Sequence, residues 1–174
     1  METNEHELFG ELYERYKTKV FHKCISFAKD QDAAKDLLHD VFLKTFTSLN
    51  KFSGRSSFST WLYSITYNYC VDYARSKSKM RTEDIEERVD ISDKDDEKNE
   101  RELMSMQAER LGHVLNKINP KEKAILLMKF QDGFSIKEIM DIMDLSESAV
   151  KMRIKRAKAN ALNTYQTLFV EDIV

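Results

Sequence analysis

Five basic side chains crowd into the segment from Lys151 to Lys158, and no acidic residue stands among them. They are Lys151, Arg153, Lys155, Arg156 and Lys158. Cations at this density can neutralise phosphate groups, and arginine can also grip the edge of a guanine with two hydrogen bonds. The same segment carries an apolar stripe, made of Val150, Ile154, Ala157 and Ala161. The pattern predicts a helix that packs on a protein core through one face and offers donors to a nucleic acid from the other.

The residues before this basic helix predict the structural motif to which it belongs. Ser135 and Glu138 match a capping box that starts a short helix, and Asp144 to Ser146 interrupt that helix before the basic one begins. Two helices joined by a turn of three or four residues form a helix-turn-helix, whose second helix enters the major groove of DNA. A basic helix alone is more often a solvated surface, but this context makes DNA binding the leading hypothesis.

Composition favours an all-α fold. One proline and four glycines among 174 residues are too few for many strands and turns, whereas the abundant Lys, Glu, Leu, Met and Ala favour helices. Apolar residues recur every three or four positions in three N-terminal segments, which begin near Leu8, Asp32 and Trp61. Asn119 and Pro120 predict the cap and first turn of a later helix.

Charge divides the chain into two units. From Arg81 to Glu102 there are eleven acidic and five basic residues, a net charge of −6 in a segment with few large apolar side chains. Such a segment cannot bury a core and is typical of a solvated linker. We therefore predict two small helical domains, at residues 1–79 and 103–174, joined by a flexible acidic linker at residues 80–102.

The other residues that could do chemistry are too dispersed to predict a catalytic or metal site. Cys24 and Cys70 fit neither a disulfide framework nor a zinc site, and the four histidines are widely scattered. We expect no metal, no cofactor and no catalytic residue. No apolar run approaches the roughly 18 residues of a membrane span, and the N-terminus lacks a signal sequence, so we expect a cytoplasmic protein without direct membrane insertion.

A second unusual segment is GRSSFSTWLY, at residues 54–63, which gathers small polar residues, an arginine and the only tryptophan of the chain. Within DAAKDLLHDVFLKTF and LNKFSGRSSFSTWLYSITYNYCVDYARSK the chain resembles region 2 of the extracytoplasmic-function (ECF) group of sigma-70 sigma factors, which make bacterial RNA polymerase promoter-specific. The segment LNKINPKEKAILLMKFQDGFSIKEIMDIMDLSESAVKMRIKRAKANAL resembles region 4. Two blocks in the family's order are more specific than a lone helix-turn-helix.

The resemblance implies that the second helix binds the β′ clamp helices of core RNA polymerase. The residues that occupy this motif are Asp36, Leu37, Asp40, Val41, Phe42 and Lys44. Acidic and aromatic residues suit a basic, partly apolar partner helix. Some of the apolar members, Leu37, Val41 and Phe42, are expected to belong to the core instead.

The resemblance also implies that the loop after this helix, with the helix that follows, binds the minus-10 element as single-stranded DNA with one base in a pocket. The matching residues are Lys51, Phe52, Ser53, Gly54, Arg55, Ser56, Ser57, Phe58, Asn68 and Arg75. Small residues allow close approach of the backbone, cations bind phosphate and aromatic rings stack on bases. The amide of Asn68 can donate to and accept from a base edge. Trp61 is expected to pack on the apolar face of its helix, while Phe52 and Phe58 remain open between stacking and packing.

Recognition of the minus-35 element is implied for the helix-turn-helix. The matching residues are Lys129, Lys151, Met152, Arg153, Lys155 and Arg156. Several family members carry arginine where this chain has Lys129 and Lys151. Because lysine lacks the two-pronged guanidinium group, these two positions favour phosphate contact over base reading.

Three partners follow from the resemblance: core RNA polymerase, through its β′ clamp helices and β flap, promoter DNA, and an anti-sigma factor. The linker, fully extended, reaches on the order of 80 Å. Promoter elements about 16 base pairs apart are separated by about 54 Å of B-DNA. The linker is therefore long enough for the two domains to read both elements.

Two other classes of protein are alternatives to this interpretation. A free-standing helix-turn-helix regulator would bind a palindromic operator as a dimer, but the acidic second helix and the unsymmetrical two-domain layout disfavour it. A metal-dependent nuclease is disfavoured because the histidines do not have ligand spacing.

Overall fold

The computed structural model describes residues 2–80 and 100–169, and every regular element in these ranges is helical. The α-helices there are α1 (Glu2–Ala28), α2 (Gln31–Thr47), α3 (Phe58–Met80), α4 (Glu100–Lys117), α5 (Pro120–Leu126), α6 (Ile136–Met143) and α7 (Glu147–Phe169). A 3-10 turn at Leu49–Lys51 follows α2, and a π-helical turn at Leu127–Gln131 continues α5. The prediction of an all-α fold is confirmed.

The first three helices form an N-terminal bundle. The carboxylate of Asp30 caps α2 by accepting the N–H of Ala33 at 2.8 Å, which satisfies a backbone donor that the first turn leaves unpaired. The apolar stripes of α1, α2 and α3 meet in a core where Val20, Val41 and Leu62 are fully buried. This bundle carries the predicted polymerase-binding residues on α2, and the predicted minus-10 residues in the segment between α2 and α3 and on α3.

The helices α4 to α7 form the C-terminal domain. Asn119 accepts the N–H of Lys121 at 2.9 Å and Pro120 occupies the first position of α5, as predicted. Asp144 ends α6 in the left-handed conformation, with φ of 52°, which reverses the chain sharply before α7. The predicted helix, turn and helix are therefore present as α6, Asp144 to Ser146, and α7.

The capping box at the start of α6 is complete. The Ser135 hydroxyl accepts the N–H of Glu138 at 3.2 Å, and the Glu138 carboxylate accepts the N–H of Ser135 at 2.9 Å. The hydrogen bonds from the Ser135 side chain and backbone hold the pKa of Glu138 below its usual value.

Replacing Ser135 with alanine should destabilise the folded chain by about 1 kcal/mol, since the N–H of Glu138 loses its partner. Urea unfolding followed by circular dichroism measures this change. Glu138→Gln is the matched control, because glutamine can still accept the Ser135 N–H. An equal loss of stability in both variants would contradict the capping account.

The two domains pack against each other instead of standing apart. The helices α5 and α6 lie against α3, and the buried apolar residues form one continuous core from Val20 in α1 to Ala157 in α7. The sequence predicted two small helical domains, and within the described residues their apolar cores are continuous. α4 begins at Glu100, inside the predicted linker, and residues 81–99 lie outside the described part of the chain, so the flexible character of the linker stays a prediction.

The two cysteines lie in the N-terminal bundle. The sulfur atoms of Cys24 and Cys70 are 4.0 Å apart, and both thiols are free and buried. The hydrogen bond to Cys24 and burial raise the pKa of the Cys70 thiol, so this thiol stays protonated and unreactive at neutral pH.

Across the described ranges, none of the helices combines the length and the apolarity that crossing a membrane requires.

Candidate functional site

The outward face of α7 carries most of the predicted minus-35 residues. Val150 and Ala157 are fully buried. Because successive helical residues are about 100° apart, Met152, Lys155 and Arg156 project from the opposite side, and all three are exposed. An exposed cationic stripe on the second helix of a helix-turn-helix suits the phosphates and base edges of the major groove.

Lys151 lies at the edge of this face, near the start of α7. Its ammonium group pairs with the Glu147 carboxylate at 2.5 Å, and both side chains are more than half exposed. An exposed pair of this kind contributes little to stability. Lys151 can therefore exchange Glu147 for a phosphate at small cost.

Two predicted minus-35 residues are placed differently. Arg153 is half-buried, on the flank of α7 that turns toward the domain core. The ammonium group of Lys129 donates to the carbonyl of Phe134 at 3.3 Å, within the turn between α5 and α6. Both side chains are less accessible to DNA than Lys155 and Arg156, and Lys129 helps hold the turn.

The predicted minus-10 loop joins the 3-10 turn to α3. Gly54 lies at its tip with φ of +69°, a conformation that side chains rarely adopt. The Ser57 hydroxyl accepts the N–H of Thr60 at 3.1 Å and so caps α3. Lys51, Ser53 and Arg55 are exposed around the tip, so backbone and cations are open to an incoming strand.

A cluster of four aromatic rings packs where this loop meets α1 and the start of α3. The rings of Phe52 and Phe58 meet edge to face with centroids 5.7 Å apart, and the Trp61 ring lies 5.3 Å from Phe52 and 5.8 Å from Phe58. Tyr16 of α1 closes the cluster, 5.6 Å from Phe58. All four rings are half-buried, so they brace the loop while leaving part of their surface accessible.

Asn68 and Arg75 lie on an exposed stripe of α3. Asn68 lies seven residues, about two helical turns, after Trp61, and Arg75 lies seven residues after Asn68. All three side chains therefore project from nearly the same side of α3. Asn68 and Arg75 are exposed. The structure therefore brings the loop, the amide and a basic residue together along one side of the N-terminal bundle.

The predicted polymerase-binding set on α2 needs a correction. Leu37, Val41 and Phe42 are only 6%, 0% and 5% exposed. The Phe42 ring packs edge to face on Tyr13 of α1, with centroids 4.7 Å apart. These three residues pack inside the bundle and offer almost no surface to a partner.

The outward face of α2 contains a residue that the sequence analysis missed. Asp36, Asp40 and Lys44 are exposed as predicted, and Leu43, about one turn beyond Asp40, has 55% of its surface exposed. Phe46, one turn further on, is 41% exposed. The signal for Leu43 was present in the sequence, since it falls off the apolar stripe of its helix, whereas buried residues follow that stripe.

Two buried lysines join the domains. Lys23 of α1 pairs with the carboxylate of Asp132, which also accepts the Tyr67 hydroxyl of α3 at 2.6 Å. Lys123 of α5 donates to the carbonyl of Ser26 at the end of α1, and to Asn116 at 2.8 Å. The ammonium group of Lys23 also lies 4.7 Å from the centre of the Tyr63 ring. The contacts of Lys23 with Asp132 and of Lys123 with Ser26 could not be predicted from the sequence, because each joins residues about a hundred positions apart.

Burial lowers the pKa of Lys123 from its ordinary 10.5 to about 8, and the positive charge of Lys29 adds to this effect. The unfolded chain therefore binds this proton more tightly than the folded chain, and the folded chain should gain stability as the pH rises from 8 toward 10.

The titration of Lys123 should contribute about 2 kcal/mol of this gain in the wild type and nothing in Lys123→Met, which keeps an apolar stem without an ionisable group. Urea unfolding of both chains at pH 8, 9 and 10 measures the difference between their pH profiles. The raised pKa of Cys70 lowers the stability of both chains as the pH rises past 9, and the raised pKa values of Tyr63 and Tyr67 do so above pH 10, so these effects cancel in the comparison. Parallel pH profiles for the two chains would exclude the titration of Lys123 as the cause.

A cavity of about 480 Å³ separates the predicted minus-10 loop from the helix-turn-helix. Arg55 and Ser56 line it from the loop, and Asp141, Asp144 and Ser146 line it from α6 and the turn. Within the part of the chain that the structure describes, no group of three His, Cys, Asp or Glu side chains could hold a metal ion.

Comparison with known proteins gives matches over both domains. The family models for sigma-70 region 2 and sigma-70 region 4 match residues 12–80 and 108–160. The ECF RNA polymerase sigma factor SigX of Bacillus subtilis is 27% identical over 97% of this chain and 88% of its own length. The ECF RNA polymerase sigma-E factor of Haemophilus influenzae is 29% identical, over 92% and 88%. Among solved structures, the sigma factor RpoE in complex with the anti-sigma factor NepR from Bartonella quintana has a TM-score of 0.63 at 20% identity, covering 92% of this chain and 95% of that one.

Proposed function

Because this chain belongs to the ECF group of the sigma-70 family of RNA polymerase sigma factors, we propose that it binds bacterial core polymerase through α2 and reads promoters with α3 and α7. The activity is binding, and the polymerase carries out the synthesis of RNA. The place of action is the cytoplasm, where core polymerase meets the chromosome. A free-standing regulator is not favoured, since it has no need of a region 2 domain.

The observation that carries the proposal is the exposed face of α2. Asp36, Asp40 and Leu43 are solvent-accessible there, although the opposite face of the same helix is tightly packed. An exposed apolar side chain on the same helix face as two carboxylates suits a partner helix that is basic and partly apolar. The corrected polymerase-binding set is therefore Asp36, Asp40, Leu43 and Lys44, with Leu37, Val41 and Phe42 supporting them from below.

Promoter reading is assigned to two separate surfaces. On the N-terminal bundle, the loop from Lys51 to Phe58, with Asn68 and Arg75, binds the unpaired minus-10 strand. On the C-terminal domain, Lys155, Arg156, Met152 and Lys151 bind the minus-35 duplex, and Lys129 and Arg153 act mainly by holding their helices. The β flap of polymerase and an anti-sigma factor are proposed as further partners.

Binding to core polymerase tests this function directly. The purified chain, mixed with bacterial core polymerase, should co-elute with it in size-exclusion chromatography and should not bind the polymerase holoenzyme that already contains a primary sigma factor. A chain that bound promoter duplex as a dimer while ignoring core polymerase would point to the free-standing regulator.

Replacing Asn68 with alanine should reduce transcription from a promoter with an intact minus-10 element about tenfold, because one base loses the hydrogen bonds of its amide partner. The effect should disappear on a template that lacks that base, with an abasic site in its place, because the wild type then has no hydrogen bond to lose. Asn163→Ala, at an exposed asparagine of α7, is the control. Equal loss of transcription in both variants would contradict the assignment of Asn68.

A further inference from the structure

We propose that Met152 determines one base of the minus-35 element by packing on the 5-methyl group of a thymine. This inference rests on the proposed function, because it names the base that one residue of the minus-35 surface selects. The lysine and arginine side chains around Met152 attract DNA of any sequence through its phosphates. Met152 adds a preference for one base, which attraction to phosphate does not provide.

Met152 lies at the centre of the outward face of α7. At about 100° per residue, its direction is about 200° around the helix from the fully buried Val150, so it points away from the core. Lys155 lies about 60° to one side of this direction, and Arg156 about 40° to the other. The side chain of Met152 is 52% exposed. The DNA-facing surface therefore has an apolar centre between two cations.

The start of α7 places Met152 among the residues that approach bases. The Ser146 hydroxyl accepts the N–H of Ala149 at 3.3 Å, and α7 begins at Glu147. Met152 lies about 7.5 Å further along the helix axis, in the second turn. In a helix-turn-helix, the N-terminal residues of the second helix contact base edges in the major groove. A residue at the centre of this face therefore meets the floor of the groove and not its phosphate walls.

The chemistry of the thioether side chain selects the base. Among the four bases, only thymine presents a methyl group in the major groove, while the others present hydrogen-bonding groups there. Methionine has no N–H or O–H to donate, and its sulfur is a weak acceptor. Burying a polar base edge against Met152 would leave that edge without a partner, which is costly. The unbranched side chain adapts its shape to the methyl group.

Removal of a single methyl group from the DNA tests this contact. Run-off transcription of a randomised promoter library by core polymerase with the full chain first gives the enriched minus-35 element. Each thymine of that element, on either strand, is then replaced in turn by deoxyuridine, which lacks only the 5-methyl group. At one position the replacement should lower transcription by the wild type about fourfold, as expected for one buried methyl group.

Three variants assign this methyl group to Met152. Met152→Ala should transcribe the thymine and deoxyuridine promoters equally well. Met152→Leu keeps an apolar side chain of similar volume and should retain at least about a twofold preference for thymine. Leu162→Ala is the matched control, because Leu162 is 59% exposed and lies about 15 Å further along α7. It should keep the full preference. The helical circular dichroism of each variant should match that of the wild type.

The outcomes separate this inference from the proposed function. Promoter-specific transcription without a position sensitive to deoxyuridine in the minus-35 element would overturn the inference alone. The same holds if the sensitivity persists in Met152→Ala, or if this variant weakens the thymine and deoxyuridine promoters by the same factor, since Met152 would then contact the backbone. The absence of promoter-specific transcripts would refute the proposed function, and the inference with it.

Discussion

Replacing Lys155 and Arg156 together with alanine should lower transcription from a promoter that depends on its minus-35 element about 100-fold. Both side chains project from α7 away from the buried Val150 and Ala157. A well-placed contact to a base or phosphate is worth about 1–3 kcal/mol, and two such contacts lie on one face. Since neither side chain packs in the core, the melting temperature should not change.

The control for this prediction removes the same charge elsewhere in the domain. Lys117 at the end of α4 and Lys121 at the start of α5 are both exposed. Run-off transcription with Lys117→Ala and Lys121→Ala combined should stay within about threefold of the wild type, apart from a general effect of net charge on DNA binding. If this control lost as much transcription as the first double variant, only net charge would matter and the recognition face would be misassigned.

Replacing Leu43 with aspartate should weaken binding of core polymerase at least about 30-fold. Leu43 is 55% exposed on the outward face of α2, and an apolar residue that becomes fully buried in an interface commonly contributes about 2 kcal/mol or more. Aspartate would remove that contact and bury a charge against the partner. Because the side chain touches little of the bundle, folding should be unaffected.

Fluorescence anisotropy of the labelled chain, titrated with core polymerase, measures this effect. Thr18→Asp adds the same charge at an exposed position of α1 and should bind like the wild type, whereas Leu43→Ala should fall between. If the Leu43→Asp variant bound core polymerase with unchanged affinity, the assignment of the polymerase contact to this face of α2 would be wrong.

Most of the fold could be predicted from local patterns in the sequence. The caps at Asn119 and Ser135 and the apolar stripe through Val150 and Ala157 depend on residues within a few positions of one another, so periodicity and capping rules predict them. Which side of a helix is buried is harder to predict, because Leu37 and Leu43 are chemically identical. Only their phase along α2 separates the buried leucine from the exposed one.

The domain interface was beyond sequence reasoning. Nothing about Lys23 or Lys123 marks either as a buried residue, since lysine is usually exposed. The pairing of Lys23 with Asp132 depends on how two helical units dock, and no local signal connects residues so far apart. The acidic segment between the two domains predicted a flexible linker, but such a linker is equally compatible with docked and with separated domains.

The most direct test of the account is run-off transcription by core polymerase with the purified chain on a randomised promoter library. Sequencing of the transcripts should reveal two enriched elements about 16 base pairs apart, which position the two domains about 54 Å apart along the DNA. Asn68→Ala should weaken selection at the downstream element, and the Lys155→Ala, Arg156→Ala double variant at the upstream one. Transcripts without any enriched element, or no transcript beyond that of core polymerase alone, would contradict the assignment of this chain as a promoter-reading sigma factor.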